Sequence, residues 1–148
     1  MRIFNRQARR DFQLLEKLEA GISLTGPEAK SAREGKISLD EAYVRLRNGQ
    51  AYLVNAHIHP YKFASPPAGG FDPTRTRRLL LHKKEILALE QKAKQKKLTI
   101  VPVACYNTHG LMKLELALAR SKREYEHREE IKKRDRERDL EQELRVKI

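Results

Sequence analysis

Asn48-Gly49 sits between two runs of alternating hydrophobicity, and this arrangement commits the middle of the chain to antiparallel sheet. Ala42, Val44 and Leu46 alternate with Tyr43, Arg45 and Arg47 before the dipeptide, and Ala51 and Leu53 resume the pattern after it. Period two sends successive side chains to opposite faces of a strand. A type I′ turn needs positive φ at both central residues, which Asn-Gly tolerates, so the spacing predicts a two-residue hairpin. Loop length and the apolar face then set the register. Leu46 pairs with Ala51 and Val44 with Leu53 on one face, leaving Arg45 beside Tyr52 and Tyr43 beside Val54 on the other.

The same reasoning extends along the chain. A second hairpin is predicted from Leu98–Tyr106 and Leu111–Ala119 around Asn107-Thr108-His109-Gly110, with Met112, Leu114, Leu116 and Leu118 alternating against Lys113, Glu115 and Ala117. Pro102 has no N–H to give a ladder, so it belongs at an edge or a bulge. Phe12–Leu24 reads as an early strand and Lys83–Lys97 as a helix whose apolar stripe is Ile86, Leu89 and Ala93. The Ala64–Gly70 run, Ala-Ser-Pro-Pro-Ala-Gly-Gly, is a loop by composition. Thr25 and Glu28 have capping-box spacing, Pro27 suits a first helical turn, and Gly35 marks a stop. On that short helix Lys30 and Arg33 share a face, while Ala29 and Ala32 are small enough to pack closely on a sheet. The elements fit a mainly β fold, a small closed antiparallel barrel with helices on its rim, and strand counting alone does not separate one small barrel type from another.

Charge narrows the function. The 148 residues carry a formal charge of +12, which calls for a polyanionic partner. Residues 1–118 hold 21 Lys/Arg against 11 Asp/Glu and residues 119–148 hold 11 against 9, so the excess sits on the body. The length suits one domain, 1–118, plus an appendage, 119–148. The single cysteine, Cys105, excludes an internal disulfide and any zinc site with two cysteines, and its apolar neighbours predict a buried thiol. No apolar run is long enough to span a bilayer, and Met1-Arg2-Ile3-Phe4 starts no signal peptide, so a cytoplasmic protein is expected. His57 and His59 would share a strand face, yet no neighbouring acid or cysteine completes a metal set, and neither a phosphate-binding glycine loop nor a nucleophile elbow occurs. No catalytic residue, metal or cofactor is expected.

Four blocks carry a family likeness. They are Asn5-Arg6-Gln7-Ala8-Arg9-Arg10-Asp11-Phe12, Glu19 to Lys36 with its Glu-Ala-Gly start, His57-Ile58-His59-Pro60-Tyr61, and Asp72-Pro73-Thr74-Arg75-Thr76-Arg77-Arg78-Leu79-Leu80-Leu81. In this order they resemble the SmpB family of SsrA-binding proteins, which partner transfer-messenger RNA in bacterial ribosome rescue. The resemblance runs from about Asn5 to Arg128. It implies an oligonucleotide-binding-type barrel that grips the tRNA-like part of the RNA; when free, the chain is expected to be a monomer. The residues it places on RNA are Asn5, Arg6, Phe12, Glu19, Lys30, Arg33, Tyr61, Arg75, Arg77, Arg78, Leu80 and Lys113. Read without it, Phe12, Tyr61 and Leu80 are core candidates, Glu19 is a surface carboxylate, and the Arg75–Arg78 run is as well read as a solvated basic loop as an RNA contact. Arg75 and Arg77, two apart, should point the same way on an extended backbone. A general ribosomal or transfer RNA-binding barrel is the alternative, and a metal-dependent barrel nuclease a more distant one.

The tail follows different rules. Residues 120–148 hold no glycine or proline, and Glu124/Arg128, Glu129/Lys133, Glu130/Arg134, Glu141/Arg145 and Glu143/Lys147 are acid-before-base pairs four apart. At roughly 0.2 to 0.5 kcal/mol each they total about 1 to 2.5 kcal/mol, small beside roughly 1 to 2 kcal/mol of backbone entropy per residue. A frayed segment that becomes helical on binding is expected. The resemblance implies that this tail enters the decoding centre and vacant messenger path of a stalled ribosome, through Lys122, Arg123, Tyr125, His127, Arg128, Lys132, Lys133 and Arg134. Ser121, Glu126 and His127 depart from the family's Gly, Asp and Lys at matching places.

Overall fold

Strand β1 (Arg2–Phe4) leads into helix α1 (Arg6–Asp11), whose N-cap is Asn5, and β2 (Phe12–Ile22) follows without a loop. Helix α2 (Gly26–Arg33) carries the full capping box: the Thr25 hydroxyl accepts from the Glu28 N–H at 3.3 Å, and the Glu28 carboxylate accepts from the Thr25 N–H at 3.0 Å. Gly35, at φ 81°, ends it in the left-handed region that glycine enters without penalty. Then come β3 (Ile37–Ser38), β4 (Tyr43–Arg47), β5 (Gln50–Val54), β6 (His57–Ile58) and β7 (Arg77–Leu80). Helix α3 (Lys83–Lys96) stops at Lys97, itself left-handed, and β8 (Thr99–Thr108) and β9 (Leu111–Ser121) complete the body. These elements come from a computed structural model that describes residues 2–122 and 131–140.

The strands form one seven-stranded antiparallel sheet in the order β1-β8-β9-β2-β7-β5-β4, with β3 and β6 paired separately. The β4–β5 register is the expected one, Leu46 with Ala51 and Val44 with Leu53, and Asn48 and Gly49 turn at φ 51° and 72°. The sheet rolls until β4 lies against β8, but among the described residues no ladder joins them. The expected closed barrel is therefore a rolled sheet with a seam. The N-terminal segment explains the seam: β1 pairs along Ala104–Tyr106, the Asn5 N–H donates to the Val103 carbonyl, and the Asn5 amide donates to the Pro102 carbonyl. Pro102 lies where the β8–β9 register shifts, a bulge of the kind its missing N–H requires.

Inside the roll, Leu53, Leu79, Leu114, Leu116 and Leu118 are buried with Leu39 and Ile58, and α3 adds Ile86 and Leu89. Burying a leucine stabilises by about 1.5 to 3 kcal/mol, so a handful of these side chains outweighs all the charge pairing in the tail. On α2 the packed residues are Ser31 and Ala32 rather than Ala29 and Ala32.

Three boundaries differ from expectation. The second hairpin turns on His109-Gly110 alone, at φ 51° and 79°, so Asn107 and Thr108 stay in the ladder opposite Met112 and Leu111. Its geometry repeats the Asn48-Gly49 turn with histidine in the asparagine place. The early strand ends at Ile22, not Leu24. At the other end, Ser121 pairs with Phe12 and Arg120 with Gln13, so a body ending at 118 would cut through β9.

Candidate nucleic-acid interface

Gly21 organises the first cluster. It is flanked in the sheet by Leu80 of β7 and Lys113 of β9, and a Cβ on it would lie 3.1 Å from the Leu80 Cβ, a tight contact that Leu80 would have to yield to by a few tenths of an ångström. Strand alternation turns Arg77 and Leu79 inward and Arg78 and Leu80 outward, and Leu80 stays 53% exposed. Glu19, Arg78, Leu80 and Lys113 thus line one groove of about 640 Å³, joined by His82 and Lys83 at the start of α3. Three cations and an apolar knob, with the carboxylates of Glu19 and Glu85 beside them, suit an RNA backbone with an exposed base or sugar.

Glu19 takes a proton donor the sequence did not suggest. The Tyr106 hydroxyl donates to its carboxylate, and the Arg2 guanidinium sits 4.5 Å from the centre of the Tyr106 ring. Burial, then the hydrogen bond to Glu19 and its negative charge, push the phenol up to about 12. Glu19 and Glu115 are direct cross-strand partners, a like-charge pair, and Arg2 and Lys17 offset it by bridging Glu115 at 3.7 and 3.6 Å.

The second cluster is built on α2. The Lys30 ammonium lies 5.4 Å from the centre of the Tyr61 ring, and Tyr61 meets Phe63 edge to face at 5.6 Å. Phe63 is 78% exposed, an aromatic face the sequence reading did not single out. Tyr61, Phe71, Ile58 and Arg75 border a pocket of about 310 Å³. Arg33 is exposed but donates to the Gly110 carbonyl at 2.8 Å, which ties α2 to the β8–β9 turn.

Arg75 and Arg77 do point the same way, onto one carboxylate. Arg75 Nη2 donates to Glu28 Oε1 at 2.6 Å, and Arg77 Nε donates to Glu28 Oε2 at 2.7 Å. Arg77 also donates through Nη1 to the Ala56 carbonyl at 2.8 Å and through Nη2 to that of Pro73 at 3.0 Å, and its side chain is fully buried. Burial opposes ionisation of Glu28, but the hydrogen bonds from Arg75, the Thr25 N–H and Arg77 prevail and hold it at about 2. Burial likewise pulls Arg77 down, against the pull of Glu28.

Two expected contact residues therefore have interior roles. Arg77 is a buried counter-ion, and Asn5, 2% exposed, caps α1 by accepting from the Ala8 N–H at 3.0 Å while its amide holds Pro102. Neither presents a surface to RNA. Phe12 is half-buried against Ala8, Val101 and Ala119, as the core alternative had it, whereas Arg6 is exposed on α1, at the far end of β2 from Gly21. Lys122 donates to the Arg9 carbonyl at 3.0 Å, fixing the root of the tail to α1. Lys132, Lys133 and Arg134 lie in a helical stretch, 131–140, exposed along its whole length; Arg123, Tyr125, His127 and Arg128 lie outside the described residues. His57 and His59 meet edge to face at 4.6 Å, and among the described residues no three His, Cys, Asp or Glu side chains gather as a metal set would. Glu28 was visible in the sequence only as a helix cap, because its arginines lie 47 and 49 residues away.

A family model described as SmpB protein matches residues 2–146. The chain belongs to the SmpB family. An SsrA-binding protein of Rubrobacter xylanophilus is 49% identical over 144 residues, spanning 97% of this chain and 95% of the relative. One from a Sulfurihydrogenibium species is 50% identical over 144 residues, spanning 97% and 93%. A solved structure described as "tmRNA-SmpB: a journey to the center of the bacterial ribosome" holds a chain 45% identical to this one, with a TM-score of 0.67 over 82% of this chain and 84% of that one. The mainly β architecture is thus shared with an SmpB chain.

Proposed function

We propose that this SmpB-family chain binds the tRNA-like part of transfer-messenger RNA with its body and brings that RNA to stalled ribosomes, where its tail occupies the decoding centre and messenger channel. It is an RNA-binding accessory factor of the cytoplasm with no reaction of its own. Support comes from relatives named SsrA-binding proteins along nearly the full length, and from the 45% identical chain whose structure is described with tmRNA and the bacterial ribosome. One observation carries the assignment to particular residues: Glu19, Arg78, Leu80 and Lys113, drawn from three strands far apart in sequence, line a single groove. The second cluster, Lys30, Tyr61, Phe63 and Arg75, adds a separate cationic and aromatic patch. Replacing Arg78 and Lys113 together by alanine is expected to weaken binding to the tRNA-like RNA and flatten its salt dependence by up to about two in the log–log slope. A slope equal to that of the unaltered protein would remove the groove from the interface.

A further inference from the structure

Glu28 has one more consequence for binding, resting on the RNA-binding reading. Its carboxylate is shared between a buried arginine and an exposed one, Arg77 at 0% and Arg75 at 43% side-chain exposure. Three elements meet there: the start of α2 through Thr25, the approach to β7 through Arg75, and β7 itself through Arg77. Arg77 is held by two carbonyls as well, so its geometry is set from three sides. Arg75 has Glu28 and, at 3.5 Å, the Thr76 carbonyl beside it in the chain. The surface charge offered by Arg75 is consequently offset only in part, because one carboxylate faces two guanidiniums and one net positive charge remains, and any phosphate that approaches Arg75 also meets the Glu28 carboxylate well within a Debye length of about 8 to 10 Å. Lys30, two residues along α2, stands over Tyr61 and makes no ion pair with Glu28 in the structure.

We propose that Glu28 is a specificity-determining positioning residue, which withholds Arg75 from generic phosphate backbones and yields it only to an RNA whose shape sets a phosphate between α2 and the approach to β7. A carboxylate so placed sacrifices general affinity for discrimination, since suppressing the wrong partner is as effective as improving the right one. The test is a cycle in the full-length chain, measuring the salt slope of binding to the tRNA-like RNA and to bulk tRNA. Glu28→Gln keeps an acceptor for the Thr25 N–H while removing the charge. It is expected to steepen the bulk-tRNA slope by up to about one and tighten that binding a few-fold, and to do neither in an Arg75→Gln background. An unchanged bulk-tRNA slope in folded Glu28→Gln, or the same change with Arg75 already replaced, overturns the proposal.

Arg75→Gln leaves the Glu28–Arg77 pair in place and decides the matter should Glu28→Gln fail to fold. It is expected to flatten the slope more for the tRNA-like RNA than for bulk tRNA, and equal flattening, or none, contradicts the proposal. A merely structural Glu28 would lower melting temperature and both affinities together without this dependence on Arg75. If the unaltered protein does not prefer the tRNA-like RNA, the functional reading falls separately, while the Glu28→Gln cycle on bulk tRNA still judges Glu28.

Discussion

Glu28 shows how one side chain can hold two structural tasks at once. It closes the α2 capping box and neutralises a buried guanidinium, two tasks usually given to separate residues. Because its carboxyl is lowered from 4.5 to about 2, the folded state holds it ionised where the unfolded chain would not. Its stabilisation is therefore complete above pH 4.5 and disappears as pH falls towards 2. Denaturant melts across this window are expected to show a loss of stability that Glu28→Gln lacks, and parallel pH profiles would contradict the assignment. Arg77→Ala, which leaves Glu28 with Arg75 alone and takes the donor from the Ala56 and Pro73 carbonyls, is expected to cost about 2 to 5 kcal/mol through these unsatisfied acceptors. Arg75→Ala, at an exposed pair, is expected to cost about 1 kcal/mol or less, and equal costs for the two arginines would contradict the division between a buried and a surface role.

Among the elements, those governed by short-range rules were legible in the sequence. The Asn48-Gly49 hairpin, its register, the α2 capping box and the α3 stripe each follow from residues within a few positions of one another. What was not legible depends on contacts far along the chain. Helix α1 has six residues, too few to stand on local propensity, and it exists because Asn5 caps it while fastening to Val103 and Pro102. The family likeness had marked Asn5 for RNA, and a motif match cannot separate a residue kept for a cap from one kept for a contact. The second hairpin was legible too, but not the narrowing of its turn to His109-Gly110, because histidine is a less usual occupant of the first left-handed position than asparagine. For α2, Thr25→Ala is expected to cost about 1 kcal/mol through the lost cap, measured as a shift in urea midpoint at unchanged slope. No shift would mean that Glu28 and its arginines hold the helix start without the hydroxyl.

For the whole molecule, burial separates body from tail among the described residues. Leucines fill the rolled sheet, whereas residues 131–140 are helical and exposed throughout, with Lys122 anchoring the tail root to α1. The candidate site was only partly readable: charge and motifs named Glu19, Arg78, Leu80 and Lys113, but only the sheet order places them in one groove. Because Arg120 and Ser121 pair with β2, truncation after Lys122 should spare the body's fold and its RNA affinity while abolishing peptide tagging on stalled ribosomes. Loss of RNA affinity in that variant would make the tail part of the primary grip. The central claim is that a cationic sheet surface reads one RNA shape, and the most direct test is the affinity of the full-length protein for the tRNA-like RNA against bulk tRNA at one fixed, near-physiological salt concentration. A clear preference for the tRNA-like RNA is expected, reduced when Arg78 and Lys113 are replaced; equal affinity for the two RNAs would contradict it.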